Sequence, residues 1–154
     1  MTSLKYEKIY RDFLGNITDP TLANLAKNEA YELLSEYLEK SFANPRVNGL
    51  FKEIKIDEDV QKISYELKTK DKDGIDEIFV KNVLGKAMAI EWLTPQVNNK
   101  LGICQLFTNK EQQFYSQSSH LDSITSLLET LKTELNCLIR DRGYMCNGYL
   151  DKDN

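Results

Sequence analysis

The sequence predicts a mainly α protein: a helical bundle of about four to five helices with a small β-hairpin insertion at about 51–69. Three observations predict it. Apolar residues recur at three- and four-residue steps along most of the chain, which collects them on one face of a helix. One stretch, 51–69, alternates apolar with polar residues instead, the period of a half-buried strand. From Leu121 through Ile124, Leu128, Leu131 and Leu135 to Leu138, apolar residues follow a heptad seam.

Lys5 to Leu14 reads as a short helix, because Tyr6, Ile9, Tyr10, Phe13 and Ile17 share one face. Gly15-Asn16 is its expected stop, since both residues tolerate the left-handed conformation. Asp19-Pro20 opens the next helix, with Asp as cap and Pro at the first helical position. Its apolar face runs from Leu22 through Leu34 and Leu38 to Phe42, and Glu36–Lys40 is a favourable i,i+4 pair on the other side. Asn44-Pro45 ends it, because the residue before proline avoids the helical region.

Strands are expected at about 51–57 and 60–69, joined by a turn at Asp57-Glu58-Asp59. A lone hairpin is marginal in water, so it must lean on helices or on another subunit. Ile63, Tyr65 and Leu67 line one of its faces and are the candidate subunit interface. A charged connector, 68–74, leads to Asp73 as the cap of a third helix. Ile75, Ile78, Phe79, Val83, Leu84, Ala87, Met88 and Trp92 follow at helical period. Gly85, Ala87 and Ala89 let another helix come close, although Gly85 costs about 1 kcal/mol in propensity. Pro95 is expected to kink or restart this helix, with a more polar piece continuing toward Leu101.

Residues 102–119 give the weakest pattern, with one helical turn at 110–117. The leucine helix then runs to Arg140-Asp141-Arg142-Gly143. Basic residues suit the end of the helix dipole, and Gly143 is the expected residue just past the end. Tyr144 to Leu150 is amphipathic, and the tail 144–154 ends on Asp151-Lys152-Asp153-Asn154. The chain of 154 residues reads as a single domain, 1–154.

Composition excludes several classes of function. A formal net charge of -4 argues against a general duplex-DNA binder, which needs a clustered Lys/Arg footprint. The longest apolar run, Ala87 to Ile90, is far below the ~20 residues of a membrane span, and the N-terminus shows no signal-peptide core. Three cysteines at 104, 137 and 146 form no CxxC pair and read as reduced thiols, with Cys137 in the core. No metal or cofactor is expected. The single His120 has no ligand partners at a zinc spacing and reads as the start of the leucine helix. There is no GxSxG, GxxxxGK or GxGxxG. Glu91, in an apolar stretch beside Trp92, is either a salt-bridged residue or a tuned acid. Tyr144, beyond the last helix, is either a staple folded onto the bundle or, with Arg140 and Arg142, part of a contact surface.

The segments Ile9-Tyr10-Arg11-Asp12-Phe13-Leu14, Leu84-Gly85-Lys86-Ala87-Met88-Ala89-Ile90-Glu91-Trp92-Leu93 with Pro95-Gln96-Val97-Asn98, and Phe114-Tyr115-Ser116-Gln117-Ser118-Ser119-His120-Leu121 with its leucine helix carry a resemblance. In order and character they resemble the head–tail connector proteins of tailed bacteriophages, also called adaptor, neck or head-completion proteins. The likeness covers about Tyr6 to Tyr144. It implies a non-enzymatic structural protein of the virion neck, assembled in the bacterial host cytoplasm. It also implies a homo-oligomeric ring, commonly twelvefold, that binds the portal on one side and tail or other neck proteins on the other. DNA passes through the lumen with transient contact, and no membrane is involved. Carried onto this chain, the portal-docking residues are Arg140, Arg142, Tyr144, Tyr149 and Leu150. Two departures stand out: the 51–69 hairpin looks like a family-variable insertion, and the tail is short and not basic. The alternative from the residues alone is a small cytoplasmic helical binding or regulatory module that dimerises through the 121–138 leucine seam.

Overall fold

The computed structural model describes residues 1–17, 27–106 and 111–145. It is mainly helical with a small antiparallel sheet. Its elements are β1 (Thr2–Lys5), α1 (Tyr6–Asn16), α2 (Lys27–Phe42), α3 (Pro45–Asn48), β2 (Phe51–Asp57), β3 (Lys62–Leu67), α4 (Asp73–Leu106) and α5 (Glu111–Met145). The opening cap at Asp19-Pro20 lies outside the described residues.

Two long helices set the frame. At a rise of about 1.5 Å per residue, α4 and α5 each extend about 50 Å. They run antiparallel, because Asp76 near the start of α4 meets Arg142 near the end of α5, and Lys86 meets Glu134. The seam residues Ile124, Leu128, Leu131 and Leu135 are buried within this chain. Facing them, α4 buries Val80, Val83, Leu84, Ala87 and Met88. The seam that a dimer would need is therefore spent on an intramolecular helix pair.

Pro95 neither breaks nor restarts α4, which is one helix from Asp73 to Leu106. Its missing N–H forfeits one backbone bond, a cost of about 3 kcal/mol. Burial of Trp92, Leu93 and Val97 on both sides of it offsets that cost. Thr94 donates its hydroxyl to the Ile90 carbonyl at 2.7 Å in the same turn.

α1 lies along α4 in the same direction, with Lys8 paired to Glu77 and Asn16 held by Lys86. The close approach expected at Gly85 is present. An added Cβ there would stand 2.9 Å from the Asp12 Cβ and 3.0 Å from its Cγ. Asp12 is fixed by α1, so the two helices must separate to admit a methyl group. Gly85→Ala is expected to destabilise the fold by about 2 kcal/mol, despite alanine's better helix propensity. Adding Asp12→Gly should recover most of that loss. Urea denaturation of both variants reads the difference, and a Gly85→Ala protein as stable as the parent would contradict this packing.

α1 ends at Asn16, but not through a left-handed residue: Ile17 leaves in extended geometry at φ -126° and is buried. At the other end, Lys5 offers no side-chain cap, and the Tyr6 N–H donates instead to the Gln61 carbonyl at 3.0 Å. The sheet thus caps the helix. After α2, Asn44 caps α3 by accepting from the Arg46 N–H at 3.0 Å, with Pro45 in the first helical turn.

The hairpin forms as expected. Its strands are 51–57 and 62–67, and a third strand, β1, pairs with the far side of β3. The order is β1-β3-β2, all neighbours antiparallel. β1 has one apolar residue, Leu4, and its partner strand lies some sixty residues away, so no local pattern announces it. In the turn, the Asp57 carboxylate accepts from the Val60 N–H, and Gln61 adopts a left-handed φ of 50°.

Aromatic rings tie the layers together. Phe13 and Tyr37 both meet Trp92 edge-on, at 6.1 and 5.1 Å between ring centres. Phe51 contacts Phe42 on α2 and Tyr65 on β3. The buried apolar residues form one cluster from β1 to α5. Burial has a titration consequence for the phenols inside it, and it raises Tyr10 as well as the two that follow. Tyr6 and Tyr65 are pushed up to about 12, first by burial and then by nearby carboxylates, Glu58 foremost for Tyr6 and Glu77 for Tyr65. An unfolded chain ionises its phenols near 10.0. Stability is then complete below that pH and is lost as pH rises from about 10 to about 12. Denaturant midpoints measured through this range should fall, and Tyr65→Phe should flatten the slope.

Candidate partner surfaces

Among the described residues, those singled out as contact surface sit on two elements, the end of α5 and strand β3. The structure separates them into buried and exposed sets.

On β3, Ile63, Tyr65 and Leu67 are 0, 2 and 4% exposed. Alternation does place them on one face, but that face packs on this chain's own helices. With β1 on the other side, β3 is the central strand, and these three residues offer nothing to a neighbour. Sequence alternation finds the buried face of a strand without telling what buries it.

Arg142 is likewise internal, at 7% exposure. It forms an ion pair with the buried Asp76 and donates to the Thr69 carbonyl at 3.0 Å. Its guanidinium carbon stands 4.8 Å from the centre of the Phe79 ring. Both Asp76 oxygens also accept from the Asp71 N–H at 3.2 Å, which fixes the connector before α4. Three segments therefore meet at one buried pair: the connector after β3, the first turns of α4 and the last turns of α5. The signal for this was in the spacing. Arg142 lies four residues beyond Leu138, so it occupies the next step of the same 3-4 seam.

Arg140 and Tyr144 are four residues apart on α5 and share the opposite, outward side. The Arg140 side chain pairs with Asp141 and reaches the Cys137 sulfur at 3.7 Å. Tyr144 is 63% exposed, so it is not a staple against the described bundle. α5 continues through Gly143 to Met145, so Gly143 does not end it. Tyr149 and Leu150 lie outside the described residues, as do Cys146 and the side chains of Cys104 and His120.

The same end of the bundle carries a pair that periodicity assigned to the core. Ile75 and Ile78, in the first turns of α4, are 46 and 56% exposed. The stripe on α4 is wide, and its inner part begins at Asp76, Phe79 and Val80; the two isoleucines fall outside it.

No group of three or more potential metal ligands is present among the described residues, and no described helix is long and apolar enough to cross a membrane. Cys137 is a free, half-buried thiol. Glu91 is half-buried on α4 and is not among the residues lining an open cleft of about 270 Å³ near Tyr6, Glu32 and Glu58. No protein-family model, no curated protein and no solved structure matches this chain.

Proposed function

We propose that this chain is a non-enzymatic structural protein of the neck of a tailed bacteriophage. It assembles as a homo-oligomeric ring between the portal and the tail, and DNA passes through the ring. Support comes from the resemblance of its helical segments to head–tail connector proteins, whose mainly helical build agrees with this fold. The observation that carries the reading is the end of the bundle, where Ile75 and Ile78 on α4 and Arg140 and Tyr144 on the outward side of α5 are each exposed. Exposed aromatic, arginine and apolar side chains are the residue types enriched in protein contacts. The net charge of -4 suits a wall around moving DNA, since it does not hold phosphate. The dimerising module has no comparable support, because its seam is buried inside the chain.

The test is to mix the purified chain with the portal encoded by the same genome and to image the particles. Rings docked on the portal are expected. Tyr144→Ser with Ile78→Ser, both surface changes, should weaken docking by roughly tenfold or more. A portal that stays bare at every concentration would count against the reading.

A further inference from the structure

We propose that the free edge of β2 is a self-association edge, which takes the same strand of a second copy in antiparallel pairing. The inference does not rest on the neck reading. A two-fold contact closes at two copies, whereas a ring needs a heterologous contact elsewhere on the surface, so the two proposals stand or fall separately.

β2 is an outer strand, and among the described residues its only strand neighbour is β3. Lys52, Glu53, Lys55, Ile56 and Asp57 are all exposed. An uncovered edge of this kind presents a row of unpaired backbone groups. Lysines on an edge ordinarily deter pairing. Here they alternate with acids, and the alternation decides which pairings are allowed.

The register fixes the faces. Ile54 and Ile56 stand opposite Tyr65 and Ile63 on the core side; Glu53, Lys55 and Asp57 stand opposite Glu66, Ser64 and Lys62 on the solvent side. A two-fold axis that continues the sheet with its faces preserved must pass through a residue. An axis at Glu53, Lys55 or Asp57 brings a charge against its own copy. An axis at Ile54 instead sets Glu53 opposite the second copy's Lys55, and Lys55 opposite the second copy's Glu53. It also joins Ile54 to Ile54. Lys52 stands at the β-bulge between Phe51 and Glu53 and pairs with Glu66 on the solvent side, so the regular run of the strand is 53–57. An axis at Ile56 gives Lys55–Asp57 pairs but sets Glu53 opposite the second copy's Asp59, acid against acid. The charge sequence assigns the Ile54 register.

Within one chain, Lys55 pairs with Glu53 at 3.1 Å along the strand. Both side chains are well exposed, so that contact contributes little and the ammonium is available to a neighbour. The partner is therefore a second copy of this chain, recognised by backbone bonds and a crossed pair of charges.

The experiment is sedimentation velocity on the full chain over a range of concentrations, with circular dichroism confirming that each variant folds. The parent should show a reversible monomer–dimer equilibrium. Lys55→Glu sets two acids against two acids, and Glu53→Lys sets two lysines against two lysines. Each variant alone should dimerise roughly tenfold more weakly or worse. Mixed together, they restore both opposite-charge pairs and should form a heterodimer at least as tight as the parent. A parent that stays monomeric up to its solubility limit would overturn the proposal. So would variants that dimerise like the parent, or a mixture that does no better than its components. The Ile56 register is separated by Glu53→Lys alone, which would then leave dimerisation intact and overturn the assigned pairing.

Discussion

Replacing Arg142 with alanine is expected to cost about 3–5 kcal/mol, a large part of a domain's usual 5–15 kcal/mol. Arg142 and Asp76 are both 7% exposed and form an ion pair, although the buried Arg142 Nε is left without a hydrogen-bond partner. Removing the cation leaves a carboxylate in a low-dielectric setting with only the Asp71 N–H to balance it. It also frees the Thr69 carbonyl and uncovers the Phe79 ring. The connector and the ends of both long helices should loosen together. The penalty belongs to the orphaned charge more than to the pair itself. Arg142→Met combined with Asp76→Asn should therefore recover more than half of it, since asparagine still accepts from Asp71. Urea denaturation of the single and double variants gives the comparison. A change below about 1 kcal/mol in Arg142→Ala would show that the pair is exposed to water in solution.

The second large effect is Leu131→Asp. Leu131 is 3% exposed between α4 and α5, so the substitution removes a core side chain and buries a charge. Truncation alone costs about 2–5 kcal/mol, and the unpaired carboxylate adds more. The sum approaches the whole stability of a domain, and the protein should be unfolded by far-ultraviolet circular dichroism. A dimer held through the leucine seam makes the opposite forecast, a folded monomer that has lost its partner. Circular dichroism and sedimentation on one sample separate the two outcomes. Leu128, 5% exposed on the same face, should behave alike.

The fold was largely legible because its strongest signals are local. The heptad steps of 121–138, the helical period of 75–92 and the alternation at 54–67 each gave the right element. What was missed depends on partners distant in sequence. β1 exists only because β3 has a second edge to offer. Pro95 stays inside α4 because packing on both sides outweighs a lost bond, which propensity alone does not weigh. Ile63, Tyr65 and Leu67 were placed on a contact face by a sound rule, yet the chain itself supplies the contact. The resemblance, with Tyr144 close by, makes Arg142 read as a docking residue, although its position continues the seam. Its partner Asp76, sixty-six residues earlier, had no mark in the local sequence. The exposed set, Arg140 and Tyr144, was named from the sequence, while Ile75 and Ile78 joined it only once the inner side of α4 was known.

The central proposal is that this chain joins a phage portal to a tail, and interrupting its gene in the genome that carries it tests that directly. Infection with a genome carrying an early stop in this gene is predicted to yield DNA-filled heads and free tails that never join, with joining restored when the purified chain is added to the lysate. Normal infectious particles assembled without it would contradict the account.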